Sequence, residues 1–404
     1  MPIRKIIIVG LMSAYLYMLT FDIFLNLFLR FPAPLICVPL IVFFRSKTFH
    51  FAFLKEVIVF FITNFLVYVI YAGDNKAFAV NFLTVMGCAL YFIFFIGNDL
   101  QRLKLSVMIV IVFLFASSMV MLLDHYYHST ILNVRERLIG GFVLQSPSGI
   151  AAQIFTFGYQ LAALTSFLFV YVFVYKKSLL MKVTVLIFCL TCIFLGMQRS
   201  VLVTFFVSGI LFLVYYYKLR AVLIIGGGAI VGAFLYLVVL QNQGEGYNNI
   251  LAKNERNANE DRGSLAIENL KVYTNYPYGL IFYGKKWKEV VRGNAVFGYE
   301  GITSHNAYMM FITYLGPFIG ITILVLIYRK IVRIFRFALQ NILLEEYALL
   351  ISLCFAFLAA SLNSLFHNAW LVNANGPTIF LYFAVLHCYK INLTTPSVIE
   401  NPKN

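Results

Sequence analysis

The chain has 404 residues, 62% of them hydrophobic and only 12% charged, with a mean hydropathy of +0.87. A soluble domain is near half apolar and about a quarter charged, so composition excludes a soluble enzyme or binding module. The formal charge of +15 sits in short breaks between apolar runs, which assigns it to membrane orientation and anionic lipid rather than to nucleic acid.

Apolar runs of about 20 residues suit helical spans, and the weak alternation of a membrane barrel is absent, so the expected class is all-α, a polytopic membrane helix bundle. The first run, about Ile6 to Phe28, follows Arg4 and Lys5 and has no small-residue cleavage site before Arg30, so it reads as a retained span. Within it Asp22 is the only acid expected well inside a span. Further runs fall near 32–44, 57–72, 77–96, 105–123, 150–175, 183–197, 200–217, 221–240, 306–328, 347–366 and 377–390, about twelve spans in all, of which the second is short.

With both termini cytoplasmic, the inner breaks hold Arg45, Lys47, Lys55, Arg102, Lys104, Lys176, Lys177, Lys182, Lys218, Arg220, Arg329, Lys330, Arg333, Arg336, Lys390 and Lys403. The short outer breaks keep Arg30, Lys76, Arg135, Arg137 and Arg199, the asymmetry of the positive-inside rule. The organisation expected is an N-terminal bundle over 1–240, a large outer loop with short helices over 241–305, and a C-terminal bundle with its tail over 306–404.

In chain order, "DHYYHS" sets His125 and His128 beside Asp124, a spacing that permits a metal but lacks a full ligand set. Cys189 and Cys192 form a CxxC inside an apolar run, where packing is the simpler reading. "FLGMQRSVLV" puts Arg199 in an outer turn of about five residues, where a guanidinium either snorkels or meets a lipid phosphate. "GGGAIVGA", Gly226 to Ala233, has small residues at the spacing of close helix contact.

In the loop, polar residues from Asn254 to Asp261 lead into Arg262 and a short helix from Ser264 to Tyr273, ended by Asn275, Pro277 and Gly279. "GKKWKEVVRG" reads as a segment lying on the membrane surface, and its Arg292 is a further candidate for a supporting or acceptor-side group. "EGITSHNAYMMF" then sets His305 at the mouth of an apolar run, with Ser304 and Asn306 beside it to orient the ring. An imidazole there either caps a helix or takes a proton from a hydroxyl at neutral pH. His367, in "SLFHNAWLVNANG", is expected in the same compartment as a supporting or acceptor-side group. No Walker or dinucleotide fingerprint occurs, and neither a metal nor a cofactor is expected.

Taken in order, "LGMQRSVL", a loop arginine before a short helix, "NYPYGLIFYG" and "SHNAYMMFITYLGPFIG" resemble the O-antigen ligase and O-antigen polymerase superfamily, in detail over roughly Gly196 to Gly320. The resemblance implies a glycosyltransferase C-like bundle in the bacterial inner membrane. It implies a metal-independent enzyme that uses a glycan on undecaprenyl pyrophosphate at the periplasmic face. His305 matches the family's base, and Arg199 and Arg262 match the arginines that engage the pyrophosphate; Gln198 departs from the usual Ser or Thr of that turn. The function expected is an inverting polymerase of surface polysaccharide, with membrane lipids around it and a chain-length regulator as an open partner. The alternative is a ligase whose acceptor is the lipid A core. A flippase of lipid-linked glycan is the third reading, disfavoured by the lack of repeated halves and of buried ionisable groups.

Overall fold

The computed structural model describes residues 3–26, 31–47, 53–235, 250, 262–298, 302–371 and 373–394. Arg30, Lys403, the end of the 221–240 run and the polar stretch before Arg262 lie outside these. The described chain is helical but for one two-stranded hairpin and one isolated bridge.

The apolar runs become α1 (Ile3–Thr20), α2 (Cys37–Phe43), α3 (Leu54–Asn64), α4 (Asn75–Leu90), α5 (Leu100–Tyr126), α6 (His128–Ile139), α7 (Ile154–Val174), α8 (Leu179–Leu195), α9 (Arg199–Tyr217) and α10 (Ala221–Leu235). Then come α11 (Arg262–Asn275), α12 (Trp287–Val290), α13 (Ala307–Gln340), α14 (Ala348–Asn363) and α15 (Gly376–Thr394). α3 and α4 continue as π-helical turns over Phe65–Ala72 and Tyr91–Ile96. Among the described residues eight helices are long and apolar enough to cross a membrane, and Ala33–Phe43 and Leu179–Leu195 are shorter apolar ones.

α7 and α14 form the centre, with 83% and 72% of their most apolar stretches buried. Small residues allow this: Ala162 and Ala163 on α7 and Ala356, Ala359 and Ala360 on α14 are all buried, so the two backbones pack closely. The GGGAIVGA stripe behaves otherwise. A Cβ on Gly226, Gly227, Gly228 or Gly232 would meet nothing within 4 Å, so the expected close helix contact is not formed among the described residues.

The first two runs are also corrected. α1 stops at Thr20, and the chain turns through Asp22, at φ 56°, into an antiparallel hairpin pairing Leu25 with Pro32 and Asn26 with Phe31. Asp22 is therefore not inside a span; its carboxylate accepts from the Gly376 amide at 2.6 Å and caps α15. Two prolines delay the second helix, because neither Pro32 nor Pro34 can donate a backbone hydrogen bond. Pro34 rests against Gly87, partway along α4, so only Cys37–Phe43 completes that run as an α-helix.

Asp124 and Arg135 change roles as well. Arg135 is fully buried, and its guanidinium donates to Asp124 Oδ2 at 2.5 Å, the Gly149 carbonyl at 2.7 Å, Ser146 Oγ at 2.7 Å and Ser148 Oγ. His128 Nδ1 also meets Asp124, at 3.0 Å. The acid next to the two histidines thus serves an ion pair, and among the described residues no group of three or more His, Cys, Asp or Glu is placed to hold a metal.

The loop folds onto α13. α11 begins two residues before the expected helix and ends two after it. Trp287 is 6% exposed and packs edge-on against Phe297 in a second small core with Val272, Leu280, Val291 and Met310. Its ring is thus packed inside the protein, while Lys285, Lys286 and Lys288 around it are exposed. Pro317, with Gly316 at φ 79°, kinks α13 and leaves carbonyls without their helical donors. The Thr313 and Tyr314 carbonyls instead accept from Leu280 N at 3.0 Å and Ile281 N at 3.1 Å. The "YGLIF" strap thereby completes the broken helix.

Candidate functional site

Four helices start around one short segment, the 364–371 turn that follows α14. The first is α7, whose second residue is Phe155. Its start is fixed from below by Ser117, which accepts from Ile150 N at 2.9 Å and donates to Gln160 at 2.8 Å. The second is α9. Gly196 makes the turn before it, since a Cβ there would lie 2.6 Å from the Cys192 carbonyl. The turn is Gly196–Gln198, so Arg199 is already the first helical residue rather than part of a five-residue loop. Gln198 does not cap α9; its amide donates to the Ile154 carbonyl at 3.1 Å and ties the starts of α7 and α9 together. Gly158 leaves the room for this, because a Cβ there would lie 3.0 Å from Gln198 Oε1.

The third start is α13. Its first amide, Ala307 N, donates to the carbonyls of Ser364 at 2.8 Å and His367 at 3.1 Å. Asn368 donates to Thr303 across the same junction. The fourth is α11, where Arg262 Nη1 lies 3.5 Å from the Phe366 carbonyl. Tyr159 on α7 holds the turn from beneath, its hydroxyl 3.1 Å from the Ala369 carbonyl and 3.2 Å from Ser364 Oγ.

The two imidazoles meet through one ring. Phe155 lies 4.8 Å from His367 and 6.3 Å from His305, centroid to centroid. His367 is buried, and its Nε2 is 3.1 Å from the hydroxyl of Ser200, the neighbour of Arg199. His305 is half-buried. Three of the non-glycine residues with positive φ frame this region: Met197 at 51°, His305 at 51° and Trp370 at 90°. Such backbone costs roughly 1–3 kcal/mol per residue and persists where surrounding contacts enforce it.

His305, Arg199, Arg262 and His367 are therefore brought to one turn. Ser304 and Asn306 are beside them, but their side chains are engaged elsewhere. Asn306 Oδ1 caps α13, accepting from Tyr308 N and Met309 N at 3.1 Å each. Ser304 Oγ accepts from Asn269 Nδ2 at 2.9 Å, and Asn269 Oδ1 accepts from Thr313 at 2.7 Å, so this pair locks α11 to α13. Arg292 is exposed after α12 and joins none of these contacts. Sequence reasoning missed Phe155, Ser200, Tyr159 and Asn269. Only Asn269, a polar residue on the apolar side of its short helix, left a signal.

The electrostatics favour an anion. A helix N-terminus carries a partial positive charge, and four such ends gather at one turn, with guanidinium groups on the first residues of α9 and α11, although the first amides of α13 are already satisfied by Ser364, His367 and Asn306. Asn363, which ends α14 in the same region, is fully buried with neither amide atom hydrogen-bonded, beside the space left by Gly158. No protein-family model and no curated protein matches this chain.

Proposed function

We propose that the chain is a membrane glycosyltransferase using a glycan carried on undecaprenyl pyrophosphate, and that it acts as a surface-polysaccharide polymerase. The observation that carries this reading is the gathering of His305, Arg199 and Arg262 at one turn, through Phe155, Ser200 and the Phe366 carbonyl. In this reading the site end of the bundle faces the periplasm and both termini are cytoplasmic. The runs then make about twelve spans in a glycosyltransferase C-like arrangement, with 262–298 as the periplasmic cover.

The chemistry asks little beyond charge and position. The acceptor hydroxyl attacks the anomeric carbon from the face opposite the pyrophosphate and inverts it. His305 takes the hydroxyl proton, and the electron pair of the breaking C–O bond leaves on the pyrophosphate oxygen. Arg199 and Arg262 neutralise that charge, as do the helix ends around them. His367, buried against Phe155 and Ser200, positions the start of α9 and hence Arg199.

His305→Ala is expected to lower transfer by about 10² to 10⁴ while leaving expression and donor binding intact. Arg199→Lys is expected to remain impaired, because an ammonium does not reproduce bidentate phosphate contact. The deciding measurement is a gel of surface lipopolysaccharide from a deletion strain complemented with each variant. Core bearing one repeat supports the polymerase. Bare core with polymer retained on the carrier supports transfer to lipid A core instead, and wild-type banding from His305→Ala refutes both.

A further inference from the structure

The broken second run borders a cavity of about 70 Å³, lined among others by Tyr15, Asp22, Pro34, Asn81, Thr84 and Ala374, the last of these three residues past the 364–371 turn. Its polar lining residues, Tyr15, Asp22, Asn81 and Thr84, each bring a side-chain oxygen. Asp22 Oδ1 accepts from Gly376 N at 2.6 Å and Oδ2 lies 3.4 Å from Asn375 Nδ2, which leaves lone pairs on both. Asn81 Oδ1 accepts the Ala374 amide at 2.6 Å, its Nδ2 donates to the Ala77 carbonyl, and its side chain also meets the Tyr68 hydroxyl. Thr84 donates to the Val80 carbonyl, so its oxygen retains its acceptor capacity. Tyr15 is 2% exposed, and its buried hydroxyl has no hydrogen-bond partner.

Among the described residues no cation lines this cavity. On the elements around it, Lys76 and Asp74 lie at the start of α4, and His387 and Lys390 lie near the far end of α15. Tyr15 is the only other titratable group in the lining. The carboxylate also stands just past the C-terminal end of α1, where helix carbonyls favour positive charge. Asp22 as a residue is exposed, but its carboxyl is held against the Gly376 amide at the cavity wall, and desolvation there pushes it up to about 7, opposed by that amide. Extended backbone running in beside a polar cavity is the arrangement that bound ions occupy in membrane bundles.

We propose that this cavity is a monovalent-cation site, with Asp22 supplying the charge and Tyr15, Asn81 and Thr84 the neutral oxygens, filled by Na⁺ or in its absence by a proton. A single carboxylate balances a single charge, which disfavours a divalent ion. The cavity holds one bare cation or a few waters and is too small for a sugar.

The test uses the full-length protein in nanodiscs, with thermal unfolding followed in NaCl or choline chloride at equal ionic strength. The folded carboxyl lies above its unfolded value, so the native state keeps its proton longer. Stability is therefore expected to fall in choline as pH rises from about 4 through about 7. Adding NaCl at pH 8 should restore it with saturation. Asp22→Asn should abolish both responses, and Tyr15→Phe should raise the Na⁺ concentration for half effect about tenfold. A pH response lost in Asp22→Asn without any Na⁺ effect identifies the proton as occupant. Equal pH and Na⁺ responses in the wild type and Asp22→Asn overturn the proposal. Should Asp22→Asn fail to accumulate, unchanged midpoints of both responses in Tyr15→Phe overturn it equally.

Discussion

Arg135 is the side chain on which the approach to α7 depends, since its guanidinium joins Asp124 to Ser146, Ser148 and the Gly149 carbonyl with almost no water. Removing one partner of a buried ion pair strands the other, so Asp124→Ala is expected to cost about 3–5 kcal/mol. The double change Asp124→Leu with Arg135→Met should cost much less than the sum of the two singles. Reversible unfolding in mixed detergent measures both. At this scale the sequence was informative wherever a polar residue interrupted an apolar run, as with His305, Arg199 and His367. It was silent on Phe155, which is one of 42 phenylalanines and differs from the others only in what folding puts on either side of it. The pairing of Asp124 with Arg135 was hidden for a similar reason, since the two flank a turn and the nearby histidines made a metal the more visible reading.

Among the elements, α13 and the strap that crosses it form one unit. Gly279 and Gly316 both have positive φ, and their backbones approach so closely that a Cβ on Gly279 would lie 2.1 Å from Gly316 N. Gly316→Ala is therefore expected to detach the strap, at a cost of at least about 2 kcal/mol from backbone conformation and overlap together. The readout is faster limited proteolysis within 262–298. Gly228→Ala, which meets nothing, should be neutral or gain up to about 1 kcal/mol. The proline that kinks α13 was legible, and so was the short helix of the loop. The docking between them was not, because it runs through main-chain amides and carbonyls that every sequence possesses.

For the whole molecule, composition revealed a membrane helical bundle, and the apolar runs located its helices. Their ends were less legible. The run from Ile6 to Phe28 reads as one apolar stretch, yet the helix ends at Thr20 and Leu25 and Asn26 pair as a strand, because Asp22 finds its partner at the start of α15, more than 350 positions away. The proposed orientation has a direct check, helped by the burial of all six native cysteines. Single Lys285→Cys and Arg137→Cys variants should react with an impermeant maleimide in whole spheroplasts. Lys218→Cys and Glu345→Cys should react only after lysis. The reverse pattern would place His305 in the cytoplasm and remove the lipid-linked donor from its reach.

One aromatic ring touching both imidazoles also offers a built-in optical gauge. Indole emission is quenched by a neighbouring imidazolium, so Phe155→Trp in a background with both native tryptophans, Trp287 and Trp370, changed to phenylalanine should dim whenever either histidine takes up a proton. A donor analogue that displaced the proton equilibrium would then be visible as a change in brightness, with no sugar having to be transferred.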